Sequence, residues 1–502
     1  MNSTGPQTQG RMSVTIGQLA ILALLSLNTA ACEAQTRQHP NVLFIFLDDL
    51  GWTDLSVMGS DYYETPHLDK IAAAGMRFTD AYACAANCAP SRACLLSGQY
   101  TPRHEIYNVG TTRRGSRKHG KLLHIPGTKT LRTDIVTWAH AIQQAGYKTA
   151  TMGKWHLSDD PRPYGFDVNI GGTHSGGPPR GYFPPHGNVP GLQNAPRAEY
   201  VTDRLTDEAI KFIRVNQKSP WFLYLTHFAV HTPLQARADL LKLYQQKDPG
   251  KHHQSAVMAA MIHSVDSGVG RLVATLNELK LTEKTAIFFF SDNGGFGPAT
   301  SMHPLKGYKG TYYEGGIRVP LFVKWPGIVA AGSRCSEPVI GVDLYPTFCE
   351  MTGAKLPENQ PVDGISLVDL LTGRSRSVPR GLFWHFPAYL QSYSRIDQQR
   401  DPLYRSRPCS IIRLGDWKLH EYFEDGGLEL YDLRNDPGES RNLAEQQPHR
   451  TRLLHERLRQ WRADVKAPVP NQPNPNYDAK AERDAIQRLQ LRQQKRSKTR
   501  KT

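Results

Sequence analysis

The chain has 502 residues, 39% hydrophobic and 9% aromatic, too long for one small domain and apolar enough to bury a large core, so one large domain with a smaller one is expected. Its net charge of +15 is uneven, because residues 480–502 hold nine Lys or Arg against two acids and leave the rest only mildly basic. That balance suits an acidic substrate without demanding one, while the seven cysteines (32, 84, 88, 94, 335, 349 and 409) are too few for a disulfide scaffold and form no paired C-x-x-C zinc pattern.

In chain order, the first predicted element is the apolar run LAILALLSL at residues 19–27, followed by small residues up to Cys32. It is too short to span a bilayer comfortably and is laid out like a secretory signal within residues 1–34. Cleavage before Cys32 would leave that cysteine to carry lipid, as in a bacterial lipoprotein; cleavage after Ala31 or Ala34 fits equally well, since Thr29 stands where such signals usually carry Leu. The expected location is the periplasm or cell surface, with a membrane link only through Cys32.

NVLFIFLDD (41–49) reads as a strand buried on both faces and closed by two carboxylates. PHLDKIAAAG is helical and MRFTDAYA strand-like; APSRACLLS then reads as a short helix with Pro90 in its first position and Cys88 just ahead of it. Apolar runs recur at YKTATMG, WFLYLTHF, TAIFFFSD and VPLFVKW with helical stretches between them, which predicts an α/β domain over residues 35–375 built on a large doubly wound mixed sheet flanked by helices. Short strands (GLFWHFP, CSIIRLGDWKLHEY, GLELYDL) and the helix RTRLLHERLRQWRADV then predict a smaller antiparallel C-terminal subdomain over 376–466. Residues 467–502 read as a Pro/Asn linker and a basic tail, disordered or a lone solvated helix.

Ligand sites in doubly wound sheets collect at the carboxyl ends of strands, and Asp48, Lys154, His227 and Asp292 all fall there. Asp48 and Asp49 close one apolar strand, and Asp292 and Asn293 close another. Adjacent Asp residues alone are more often helix caps, but two such pairs make a hard, all-oxygen set suited to Ca²⁺ or Mg²⁺ rather than zinc. Lys154 and His156 stand two apart, on the same side of an extended segment. Cys88 ahead of a helix N-terminus would, taken alone, have a lowered pKa and serve as an ordinary thiolate nucleophile; Cys84 and Cys94 lack that placement and read as buried filler.

CAPSRACLLSG (88–98) resembles the signature of the formylglycine-dependent sulfatases of the alkaline-phosphatase superfamily, C-x-P-S-R followed by an apolar turn and Ser/Thr-Gly, with Ser97 in place of the commoner Thr. The resemblance extends over residues 41–443 through GKWH (153–156), AVHTP (229–233, Val230 replacing Pro), GYKGTYYEGG (307–316) and YDLRNDPGE (431–439). It implies that a maturation enzyme oxidises Cys88 to formylglycine, whose hydrate is the nucleophile: one hydroxyl attacks sulfur, and the other later loses its proton to expel sulfate and restore the aldehyde. It further implies one Ca²⁺ held by Asp48, Asp49, Asp292, Asn293 and the modified Cys88, and sulfate contacts from Lys154 and Lys309. Lys309 could also protonate the leaving oxygen. His156 would hold the second hydroxyl of the nucleophile, His231 would contact sulfate or the leaving group, and Arg92 would anchor the nucleophile and balance the carboxylates. Glu314 and Arg318 read as an internal structural pair.

The Gly/Pro-rich loop 168–183 carries His174 and Arg180, which with His227 are candidate substrate contacts. With export, the pattern is similar to bacterial sulfatases of sulfated polysaccharides, among them exo-acting enzymes on galactose or N-acetylgalactosamine sulfate. The rival expectations are a phosphodiester or phosphonate ester hydrolase of the same superfamily, and an unmatured glycan-binding surface protein. Nucleic acid is not an expected partner, because the basic tail has no interleaved aromatic residues past Tyr477.

Overall fold

Asn41 and six apolar residues in a row, NVLFIFL, form strand β1 (Asn41–Leu47), and all seven are buried. In the computed structural model β1 lies inside an eight-stranded sheet with β2 (Met76–Phe78), β3 (Lys148–Gly153), β4 (Val168–Ile170), β5 (Trp221–Thr226), β6 (Thr285–Ser291), β7 (Leu321–Lys324) and β8 (Ser333–Cys335), in the order β4-β3-β5-β1-β6-β7-β2-β8. The structure describes residues 39–374, 379–393 and 399–499, besides the isolated residues 1 and 5. The expected signal segment with Cys32 lies outside the described residues, as does the domain boundary expected at 375–376.

Period-two alternation along β1 explains why both faces are covered. Val42, Phe44 and Phe46 pack with α2 (Cys88–Ser97), α3 (Trp138–Gln144) and α6 (Leu344–Thr352), while Leu43, Ile45 and Leu47 pack with α1 (Pro66–Ala73), α4 (Val201–Asn216) and α5 (Ala256–Glu278). Phe348 of α6 sits between Phe44, Trp138, Phe222 and Phe288, with ring centroids 5.0–5.5 Å away. Strands β3, β5, β1 and β6 are mutually parallel, so their carboxyl ends share one edge of the sheet; β7 alone runs antiparallel to its neighbours, which makes the sheet mixed.

The C-terminal part is the expected antiparallel sheet, β9 (Gly381–Phe386), β10 (Cys409–Leu414), β11 (Trp417–Tyr422) and β12 (Leu428–Asp432), covered by α7 (Pro448–Asp464). Trp461 of α7 stacks on Phe383 at 4.7 Å, and Trp384 Nε1 donates to the Ala83 carbonyl at 2.8 Å, so this sheet shares a core with the larger domain. The stretch expected as a free linker is instead fastened down: Asn474 is buried and donates to the carbonyls of Arg117 and Gly120, and Leu123 N donates to Gln472 O. Beyond it, where a disordered tail was one expectation, the chain forms helix α8 (Ala479–Thr499).

A fully buried ion cluster joins the small sheet to the loop 306–316. Lys418 Nζ of β11 reaches Glu314 Oε1 at 2.9 Å and Glu439 Oε1 at 3.0 Å; Glu439 Oε2 accepts the Glu314 amide at 2.5 Å, and Tyr82 Oη donates to Glu314 Oε2 at 2.6 Å. The expected Glu314–Arg318 pair is present at 3.5 Å, but Lys418 is the nearer partner. Removing one member of such a set strands a charge without solvent. Lys418→Met is therefore expected to destabilise the fold by about 3–5 kcal/mol in denaturant unfolding, several times the effect of removing the half-exposed Arg214 that pairs with Glu278.

Candidate active site

The edge where the parallel strands end gathers three carboxylates and three cations, all buried. Asp48 and Asp49 follow β1, Asp292 and Asn293 follow β6, and Lys154 follows β3. Cys88 is the first residue of α2 rather than the residue ahead of it, with Asn87 as N-cap, so Pro90 falls third. Pro is tolerated there because the first-turn amides have no partner inside the helix. The Cys88 thiol donates to Asp48 Oδ1 at 3.3 Å and lies 3.8 Å from Asp49 Oδ1.

Each carboxylate has a cation of its own. Lys154 Nζ pairs with Asp48 Oδ2, Lys309 Nζ lies 2.7 Å from Asp49, and Arg92 Nε donates to Asp292 Oδ2 at 2.9 Å. Arg92 is steadied further by the Lys154 carbonyl at 2.9 Å and Thr226 Oγ1 at 2.6 Å, a contact that no sequence motif announces. Lys309 is carried by a loop in which Lys309 N donates to Gly295 O, Gly294 N to Gly316 O, and Gly310 N to Ala86 O. A Cβ on Gly294 or Gly316 would lie about 2 Å from a backbone oxygen, so this approach is open only to glycine.

The charges are strongly unequal in their environments. Burial would raise the Asp49 carboxyl, but Lys309, His231 and Lys154 outweigh it and hold it well below the usual carboxylate range. Burial and the adjacent Asp48 raise Asp292 to about 6 despite Arg92. Burial, then Asp48, pushes the Cys88 thiol up, so the thiolate expected from the helix N-terminus alone is overruled by dehydration and by like charge. Cys84 and Cys94 are buried, as expected of filler, and Cys94 Sγ lies 3.2 Å from His104 Nε2.

His231 lies at the mouth with its side chain 21% exposed; Nδ1 donates to Thr232 O at 2.7 Å, leaving Nε2 to face Asp49 Oδ2 at 3.8 Å. Burial and the neighbouring lysines push its pKa down to about 3. His156, at φ +67°, donates its amide to Thr173 O, and its buried Nδ1 has no hydrogen-bond partner among the described residues. The glycine loop covers these two rings: a Cβ on Gly176 would lie 2.6 Å from the His156 ring, and one on Gly177 would touch that of His231 at 3.5 Å. His174 stands 6.4 Å from His156, ring to ring. Arg180 is exposed and packs toward Gly187, and His227 is buried with a pKa lowered to about 4 by burial alone; among the described contacts neither touches the charged cluster.

One ligand atom from each of Asp48, Asp49, Cys88 and Asp292 falls within 4.8 Å of the others. Asn293 adds a buried Oδ1 without a hydrogen-bond partner among the described residues, while its Nδ2 donates to Asp49 Oδ1 at 2.8 Å. An orphaned amide oxygen beside three carboxylates is the donor chemistry of a hard divalent cation, and the residues fit one. Arg405, unremarked in the sequence, donates to the Lys309 carbonyl at 3.1 Å, and Tyr393 lies under its guanidinium at 3.6 Å. Glu439 closes the YDLRNDPGE stretch, but only the fold shows it holding the loop of Lys309.

Comparison with known proteins agrees with this arrangement. Residues 40–354 match the Sulfatase family, and residues 308–464 match the family described as N-sulphoglucosamine sulphohydrolase, C-terminal. A sulfatase of Formosa agariphila is 34% identical over 528 residues, covering 88% of this chain and 92% of its own, and the N-acetylgalactosamine-6-sulfatase of Mus musculus is 28% identical over 460 residues, covering 85% and 80%. The crystal structure of Ps i-CgsB superposes with a TM-score of 0.70 at 30% identity, covering 90% of this chain and 97% of that one; its complex with k-i-k-neocarrahexaose gives 0.69 at 29% over the same shares. Members of this family typically use Ca²⁺ and formylglycine. With more than half its length inside the family match and a relative above 30% identity along most of it, the chain belongs to the sulfatase family and is a sulfuric ester hydrolase.

Proposed function

We propose that the chain releases inorganic sulfate from a sulfated saccharide of the galactose or N-acetylgalactosamine type, using formylglycine made from Cys88 and one Ca²⁺. The observation that carries the catalytic half is the placement of Cys88 at the head of α2 against Asp48, inside the ring of Arg92, Lys154 and Lys309. The thiol stands where the oxygens of the hydrated aldehyde would be. Three carboxylates and three cations leave the pocket neutral; a divalent cation held by Asp48, Asp49, Asp292 and Asn293 would polarise an ester oxygen and tip the pocket positive, which favours an anionic ester.

The chain's own residues then divide the work. Lys154 and Lys309 are ammonium donors on either side of Cys88 and would bind the non-bridging oxygens of the sulfate. Lys309 can also give a proton to the leaving oxygen, whereas His231, with Nδ1 donating to a carbonyl and its pKa pushed down to about 3, offers Nε2 as an acceptor to a hydroxyl of the leaving group and would donate to the sulfate only if protonated. His156 is held beneath the Gly176 turn with a free ring nitrogen for a hydroxyl at position 88, and Arg92 fixes Asp292 and the base of the pocket. The saccharide class is supported by the relatives: one bears N-acetylgalactosamine in its name and another is bound to a neocarrahexaose. The signal-like segment at residues 19–27 supports export to the periplasm or cell surface, with Cys32 as a lipid anchor in the lipoprotein alternative.

Two outcomes follow. Protein coexpressed with a formylglycine-generating enzyme should show the Cys88 peptide about 18 Da lighter by mass spectrometry, and Cys88→Ala should lower sulfate release by at least about a thousandfold; intact turnover in that variant would refute the nucleophile. In a panel of defined saccharides, sulfate release should come from galactose or N-acetylgalactosamine sulfate and fall on chelation, with recovery on added Ca²⁺ rather than Zn²⁺. Release from glucosamine 6-sulfate or uronate 2-sulfate alone would remove the proposed sugar.

A further inference from the structure

Nearly the whole net charge of the chain sits in two segments far apart in sequence. Between Glu105 and Asp134 there are seven Lys or Arg and no acid, and residues 480–502 carry +7, against +15 for the full chain. The fold brings these segments together. Leu123 N donates to Gln472 O, Asn474 Nδ2 to Arg117 O and Gly120 O, and Asp478 N to Lys118 O at 3.0 Å; at the start of α8, Glu482 pairs with Arg407 at 2.6 Å, and Arg488 lies within electrostatic reach of His119.

Among the described residues several of these cations lack a carboxylate partner. Among the described residues no carboxylate pairs with Arg114, Arg117, Lys121, Arg483, Arg488 or Arg492, and Lys118 meets Asp478 only at 3.9 Å across solvent. Elsewhere the half-buried Arg204 and Arg237 and the exposed Arg271 each find a carboxylate. The basic loop is also linked to the catalytic pocket through buried residues. Arg114 N donates to Tyr389 O, the Arg114 side chain lies within electrostatic reach of Arg405, and Arg405 holds the carbonyl of Lys309.

We propose that residues 113–121 and the exposed face of α8 up to Arg492 form a docking surface for the polyanionic chain of a sulfated glycan, outside the pocket that holds the ester being cleaved. A row of unpaired cations releases counterions when a polyanion of regular charge spacing lies along it, a gain that a mono-sulfated sugar cannot supply. A glycan is favoured over nucleic acid because α8 presents no aromatic side chain for base stacking, and over a lipid surface because the basic loop is fastened, next to Arg405, to the support of Lys309 in the site of sulfate-ester chemistry. This inference rests on the saccharide reading above.

The test is binding of fluorescent dextran sulfate to the full-length protein at 50–200 mM NaCl. Arg117→Ala/Lys118→Ala/Lys121→Ala and, separately, Arg488→Ala/Arg492→Ala should each weaken binding about tenfold at the low salt end and flatten its salt dependence by roughly the number of charges removed. As a control, Lys218→Ala/Lys280→Ala/Lys284→Ala removes three exposed charges near the amino ends of β5 and β6, opposite the site, and should change binding less than twofold. Equal losses from both faces, or no loss from either basic-face variant, would overturn the proposal. So would loss of binding to phosphatidylglycerol vesicles with dextran sulfate binding unchanged, which would assign the surface to a membrane. Because binding is read without turnover, a protein that binds dextran sulfate through this face yet releases no sulfate from any saccharide would refute the catalytic reading and leave the surface standing.

Discussion

Three carboxylates packed within a few ångströms of one another and shut away from water cannot all stay ionised unless cations lie among them, and this requirement organises the molecule. Asp48, Asp49 and Asp292 arrive on two adjacent strands, and each is met by a cation from a different part of the chain: Lys154 from the end of β3, Arg92 from the nucleophile helix, Lys309 from the glycine-rich loop. The residual strain shows in the contrast between Asp49, held low by its lysine, and Asp292, raised by burial and by Asp48. Such a pocket is arranged for reorganisation of charge. A divalent cation can take over the carboxylates, which would free the lysines for an anionic ester.

Precision at that edge depends on structure well away from it. The Lys309 loop buries Tyr308, Tyr312 and Tyr313 against the rest of the fold, Tyr312 beside Phe386 and Tyr313 beside Tyr431, and its turn is shaped by glycine contacts and by backbone hydrogen bonds to the β6 end and to Ala86. From behind it is held by Lys418 of the C-terminal sheet, by Glu439 in the loop after β12 and by Arg405 on the Lys309 carbonyl. The small sheet is therefore part of the catalytic apparatus in a mechanical sense: it supplies a low-dielectric anchor that converts a flexible Gly-rich turn into a fixed support for an ammonium group. The connection between β9 and β10, through Tyr389 and Arg407, seats the basic loop and the start of α8, so the pocket and the cationic surface share one scaffold.

The strand runs were legible because a parallel strand covered on both faces must be apolar throughout, and NVLFIFL and TAIFFFS leave little alternative. The carboxylates were legible for the same reason, since a charge that abruptly ends such a run marks the carboxyl end of a strand. The glycine loop near residue 175 was recognisable as irregular, but its seat over His156 and His231 was not, because a glycine records only the absence of a side chain and not which neighbour requires it. His227 and Arg180 lay at plausible places in sequence, yet their side chains depend on neighbours supplied by distant elements and stand apart from the cluster.

What the sequence determined by itself was chemical identity and order: a C-x-P-S-R helix start, paired acids after apolar strands, spaced lysines and histidines, and a doubly wound pattern that brings strand ends to one edge. Tertiary structure alone decided how the charges are shared. It fixed which lysine neutralises which aspartate, the rise of the Cys88 thiol under burial and Asp48, the docking of the Pro/Asn stretch onto residues 117–123, and the meeting of the two basic segments. Electrostatic energy depends on distance and on exclusion of water, and neither is written in a linear chain until packing brings residues hundreds of positions apart to within a hydrogen bond.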